Sequence, residues 1–102
     1  MIAPYDHVSR LGQLSEASSH EITLLARLAE EVLQNVYNPD GLNIGLNLGR
    51  AAGAGIEQHL HLHVVPRWEG DANFMTSVGQ TRVMPESLEQ TYTKLKRAFA
   101  EY

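Results

Sequence analysis

The sequence predicts an α+β fold of two helices and antiparallel strands. Three observations carry this: a helical apolar period over residues 15–37, a period of two over residues 42–49 and again over 59–65, and a second helical period beyond residue 85. The 102 residues suit one domain, read as residues 1–102. Apolar residues make up 43% and charged residues 20%, a globular composition and not a disordered or fibrous one. The formal net charge of -4 argues against a broad electrostatic hold on DNA or RNA, so no specific nucleic-acid partner is expected. The absence of cysteine excludes disulfides, thiolate catalysis and Cys-ligated zinc. No apolar run reaches the length of a membrane span and residues 1–7 do not read as a leader, so a cytoplasmic protein without a membrane partner is expected.

Residues 1–5 read as the end of a short strand. In the first helix Ile22, Leu25, Ala29, Val32 and Val36 recur at steps of three and four, with Ser15 as N-cap and Ser18 with Glu21 as a competing capping box. Asn38, Pro39, Asp40 and Gly41 stop it. Leu42, Ile44, Leu46 and Leu48 then alternate with Asn43, Gly45, Asn47 and Gly49, which gives a strand with one apolar face and one face of amides and glycines. Five of the eight glycines fall between Gly41 and Gly55, where backbone can approach a ligand closely. His59, His61 and His63 alternate with Leu60, Leu62 and Val64, and Pro66 is expected to end this second strand. Residues 67–84 read as loop. The second helix is expected to begin near Pro85 and to present Leu88, Tyr92, Leu95 and Phe99 on one stripe, with Lys94, Lys96 and Arg97 near its C-terminus.

Three of the five histidines stand in one row, because residues i, i+2 and i+4 of a strand share a face at steps of about 6.6 to 6.8 Å. Three readings are open for that row. It can be the polar outer face of an amphipathic strand. It can be a zinc site, although three rings along one straight strand converge poorly on one ion. It can also perform nucleophilic and acid-base chemistry near neutral pH.

His59-Leu60-His61-Leu62-His63-Val64-Val65 resembles the signature of the histidine triad (HIT) family. The flanks agree: residues 42–53 ahead, Pro66-Arg67-Trp68 and residues 70–74 behind, and Ala3-Pro4-Tyr5-Asp6-His7-Val8 at the start are similar to the bacterial diadenosine polyphosphate phosphorylase and hydrolase branch. The resemblance covers essentially the whole chain and implies a HIT-like antiparallel sheet with two helices. It implies a nucleotidyl hydrolase or transferase acting on the α-phosphate of a dinucleoside polyphosphate or nucleoside phosphoramidate. By that resemblance His61 is the nucleophile, the His59 backbone carbonyl holds its second nitrogen as a donor, and His63 contacts phosphoryl oxygens and leaving group.

Asn47, Ala54 and Gly55 match the phosphate-binding stretch, and His7 matches a position that supports the first triad histidine. No metal and no cofactor are implied. A homodimer is, with Tyr92, Phe99 and Tyr102 as candidate contacts. Relatives place two or more strands ahead of the Ala3-Pro4 position, so the sequence reads as an N-terminally truncated HIT-like domain. Two alternatives accompany the enzyme: an interaction module with residual nucleotide binding and no physiological turnover, and a small metal-binding protein.

Overall fold

Helix α1, Glu16–Tyr37, starts where the sequence supplies a side-chain acceptor: Ser15 Oγ takes the Ser18 N–H at 3.1 Å. It stops at Asn38, whose left-handed φ of 46° is one that asparagine tolerates better than most residues, with the Asn38 N–H closing on Gln34 O at 3.0 Å. The computed structural model describes residues 1–54, 59–71 and 86–102. Its elements in order are a 3-10 turn at Leu11–Gln13, α1, strand β1 at Gly41–Leu46, a second 3-10 turn at Arg50–Ala52, strand β2 at Leu62–Arg67 and helix α2 at Leu88–Ala100. Among the described residues no helix is long and apolar enough to cross a membrane.

β1 and β2 pair antiparallel in a register running from Gly41 opposite Arg67 to Leu46 opposite Leu62. On its other side Leu62 exchanges two backbone hydrogen bonds with Ile2, both 2.8 Å, so the N-terminal segment flanks β2 as the strand-end reading expects. Pro66 does not end β2, contrary to expectation. Amides four apart in a strand point the same way, and the Leu62 N–H points at Ile2, so the nitrogen of Pro66 also faces away from β1 and removes no bond from that ladder. β1 ends at Leu46, two residues before Leu48, and Gly49 at φ 81° turns the chain into the second 3-10 turn.

The core comprises Ala29, Val32 and Leu33 of α1 together with Leu60, and Val32 and Leu60 are 0% and 3% exposed. Fully burying one such side chain contributes about 1.5–3 kcal/mol. The inward side of α1 runs through Ile22, Ala29, Val32, Leu33 and Val36, while Leu25, expected on that stripe, stands at its margin and is exposed. α2 begins at Leu88 because Ser87 and Gln90 cap each other reciprocally, Ser87 Oγ taking the Gln90 N–H at 3.1 Å and Gln90 Oε1 the Ser87 N–H at 2.8 Å. Pro85, the expected start, lies outside the described residues. The expected apolar stripe of α2 is not a core face: Leu88 is 89% and Tyr92 65% exposed, and the more enclosed positions are Thr91, Leu95 and Ala98. α2 packs on α1, with Asn35 Nδ2 donating to the Tyr102 hydroxyl.

Candidate active site

Alternation along β2 and its approach puts His59, His61 and His63 on the face opposite to Leu60, Leu62 and Val64. The antiparallel register adds Gly45, directly across from His63, to the histidine face. The His61 and His63 rings lie 6.4 Å apart between centroids and are tilted by 57°. His59, His61 and His63 are all half-buried.

The contacts of the first two rings are specific. His61 Nδ1 lies 3.0 Å from the His59 carbonyl oxygen. A carbonyl only accepts, so Nδ1 carries the proton there and, in the neutral ring, Nε2 keeps its lone pair. His59 Nε2 lies 2.9 Å from Pro4 O, and His59 Nδ1 lies 3.3 Å from His7 Nδ1, with the two rings edge-on at 75°. The Leu60 N–H donates to Val8 O at 2.7 Å, which holds the N-terminal segment alongside the row. Pro4 and Val8 take part through backbone carbonyls, which leave no signature in a sequence.

Asn47 lies one residue beyond β1 and is exposed. Its amide faces the turn that follows, where a Cβ on Gly53 would stand 3.5 Å from Asn47 Nδ2. Gly49 and Gly53 take φ of 81° and 97°, which side-chain-bearing residues rarely adopt. The turn uses its own amides: the N–H groups of Ala52 and Ala54 donate to Gly49 O, both at 3.1 Å, and that of Gly53 to Arg50 O at 3.0 Å. The Ala54 amide is thus engaged within the turn. Gly55 lies outside the described residues.

Arg67, farther along the triad face, is also committed. It donates to Asp71 through Nε at 2.9 Å and Nη2 at 2.8 Å, and to Asn43 Oδ1 through Nη1 at 2.7 Å. Asp71, by these hydrogen bonds and by its charge, holds the Arg67 guanidinium above its usual pKa. Trp68 follows with its N–H on Asp71 Oδ2 at 3.1 Å. His20 is exposed on α1. Among the described residues no group of three or more His, Asp or Glu side chains is placed to hold a metal ion.

The HIT domain matches residues 1–70. The chain belongs to the HIT family. An AP-4-A phosphorylase of Mycobacterium tuberculosis is 45% identical over 100 residues, covering 98% of this chain and 51% of that protein. A bis(5'-adenosyl)-triphosphatase of Dictyostelium discoideum is 28% identical over 71 residues, 70% of this chain and 47% of that one. Among solved structures, a zinc-bound histidine triad family protein from Mycobacterium smegmatis superposes with a TM-score of 0.72 at 28% identity, over 97% of this chain and 66% of that one. The chain thus spans about half the length of the curated relatives it matches.

Proposed function

We propose that this HIT chain carries out nucleotidyl transfer or hydrolysis at the α-phosphate of a nucleotide conjugate, a dinucleoside polyphosphate or a nucleoside phosphoramidate, through a covalent nucleotidyl-histidine on His61. The observation that supports this most directly is the 3.0 Å contact from His61 Nδ1 to His59 O, which leaves Nε2 as the nucleophilic nitrogen of a neutral imidazole. Its lone pair attacks the α-phosphorus, a P–N bond forms, and the bond to the leaving group breaks with its electron pair going to that group. Water then attacks the same phosphorus, and Nε2 departs with the P–N electrons as the nucleoside monophosphate is released.

His63, on the same face with its Nε2 toward Gly45, is assigned to phosphoryl oxygens and leaving group, and Asn47 to the phosphate. His7 supports His59. The names of the M. tuberculosis and D. discoideum relatives support a dinucleoside polyphosphate as substrate. A homodimer belongs to this reading, with the exposed Tyr92 and Phe99 of α2 and the chain-end Tyr102 offering apolar surface; light scattering that shows only monomer at micromolar concentration removes it. The test of function is incubation with a set of nucleoside phosphoramidates and dinucleoside polyphosphates, followed by mass spectrometry of the acid-quenched protein. The expected result is a nucleotidyl adduct on His61. A second reading is a HIT module that binds nucleotide without turning it over, which the match of the HIT domain to residues 1–70 supports equally, since it names no activity. Binding with neither product nor adduct selects that reading.

A further inference from the structure

On β1 the residues that share the histidine face are Gly41, Asn43 and Gly45, and Asn47 follows one residue beyond the strand. The register sets Gly45 opposite His63 and Asn43 opposite Val65, so Asn43 stands one step, about 6.6 to 6.8 Å, past Gly45 on that face. Its amide has a fixed polarity. Arg67 Nη1 lies 2.7 Å from Asn43 Oδ1, and a guanidinium only donates, so the oxygen is held toward Arg67 and the two N–H groups of Nδ2 point elsewhere. Asp71 in turn grips Arg67 through Nε and Nη2, which fixes the fork that fixes the amide. Among the described residues Nδ2 makes no hydrogen bond, and Asn43 is exposed.

The two ends of the row differ. At His59 the ring is closed in by Pro4 O and His7, whereas past His63 the face runs on over Gly45 and the 43% exposed Val65 to Asn43. A leaving group that departs on the His63 side therefore extends toward Asn43. We propose that Asn43 is a specificity-determining residue that donates from Nδ2 to a phosphate of the leaving group, beyond the bond that breaks. It thereby selects dinucleoside polyphosphates over nucleoside phosphoramidates, whose amine leaving group carries no phosphate. The proposal rests on the reading in which His61 attacks the α-phosphorus and His63 meets the leaving group. Asp71 balances the charge of Arg67, so the substrate meets a directed donor and not a broad positive field. Past Arg67 stand the acidic Asp40 and Glu69, the first taking the backbone N–H of the second at 2.8 Å, and a polyphosphate is not drawn farther than Asn43.

Two variants separate the donor from the tie to Arg67. Asn43→Ala removes both, whereas Asn43→Asp keeps an oxygen for Arg67 and puts a carboxylate oxygen where Nδ2 stood. Isothermal titration with a methylene-bridged dinucleoside tetraphosphate and with the corresponding nucleoside monophosphate gives, for each chain, its preference for the tetraphosphate. The wild-type chain is expected to prefer the tetraphosphate. Both variants are expected to lower that preference about tenfold or more, Asn43→Asp at least as much as Asn43→Ala, as the loss of one hydrogen bond to a charged group implies. An undiminished preference in Asn43→Asp would show that the residue serves only as the acceptor for Arg67, and overturns the proposal. A wild-type chain that binds the tetraphosphate no more tightly than the monophosphate overturns it too. The expected pattern of preferences in a chain that forms no nucleotidyl adduct supports the Asn43 contact and sinks the transfer reading alone.

Discussion

Gly45 and His63 face each other across the β1–β2 ladder, and a Cβ on Gly45 would stand 3.8 Å from His63 Nε2. That is ordinary van der Waals contact, so alanine fits beside the imidazole while a branched side chain reaches into its space. Gly45→Ala is expected to fold with stability equal to or above wild type, since a strand glycine costs about 0.5–1 kcal/mol relative to alanine. Gly45→Val is expected to fold as well but to lower kcat. Thermal unfolding measured beside turnover separates the two effects, and equal kcat for both variants would remove the crowding argument.

His61→Ala is expected to lower nucleotidyl transfer by roughly 10⁴-fold or more while the chain stays folded, because it deletes the proposed nucleophile from a half-buried position outside the core. His63→Ala slows the reaction less. The check is single-turnover product formation with a nucleoside phosphoramidate, alongside circular dichroism of each variant. Near wild-type kcat in His61→Ala is incompatible with the covalent route.

The glycine-rich turn sets a conformational demand at Gly53, whose φ is 97°. Gly53→Ala is expected to destabilise the chain by about 1–2 kcal/mol, the cost of placing a side-chain-bearing residue in the left-handed region. Gly12, where an added Cβ meets nothing within 4 Å and no positive φ is required, is the control, and Gly12→Ala leaves stability within about 0.5 kcal/mol. Urea unfolding of the two variants measures the contrast.

Glu86, ahead of α2, predicts an acid limb of stability. Burial acts to raise its pKa, but hydrogen bonds from Lys94 Nζ and Thr91 Oγ1, each 3.1 Å, and the Lys94 charge outweigh it, so the carboxyl sits below its ordinary value. A lowered folded-state pKa means that the unfolded chain binds this proton more readily. The stabilisation is therefore present above the ordinary glutamate range and is lost as pH falls through the folded value. Glu86→Gln is expected to flatten that part of the stability–pH curve, and denaturant unfolding across an acidic series would show it. An unchanged acid limb would assign the pH dependence to other carboxylates.

Turnover is expected to survive exhaustive chelation, since imidazoles supply the nucleophile and phosphate contacts in the proposed route. Loss in EDTA with rescue by stoichiometric zinc would contradict this. Rescue by magnesium would point instead to a metal complex of the polyphosphate substrate.

Features written in side chains were legible in the sequence. Ser15 caps α1, Asn38 ends it, and the period of two puts His61 and His63 on one face and Leu60 on the other. Features carried by backbone were not: the Pro4 carbonyl on His59, the Val8 carbonyl on Leu60 and the inward amide of Ala54 depend on where distant segments meet. Pro66 was misread because its cost depends on which side its nitrogen faces, a matter of pairing and not of residue type. On α2 the apolar pattern marked an amphipathic helix correctly, yet its less exposed positions are Thr91, Leu95 and Ala98, of which only Leu95 lies on the expected stripe.

The link between Pro4 and His59 joins residues 55 apart in the chain, and that between His7 and His59 joins residues 52 apart. Neither can close until α1 and β1 have been threaded between them, and the chain entropy lost on closure grows with the logarithm of the loop length. Contacts this distant in sequence form slowly compared with a helix, which can coil in microseconds or less. On refolding, the helical signal therefore returns before the His59 ring finds the Pro4 carbonyl, and chemical competence lags behind secondary structure. A nascent chain that has already coiled α1 still lacks its imidazole constellation until residue 59 has been synthesised and has met residue 4.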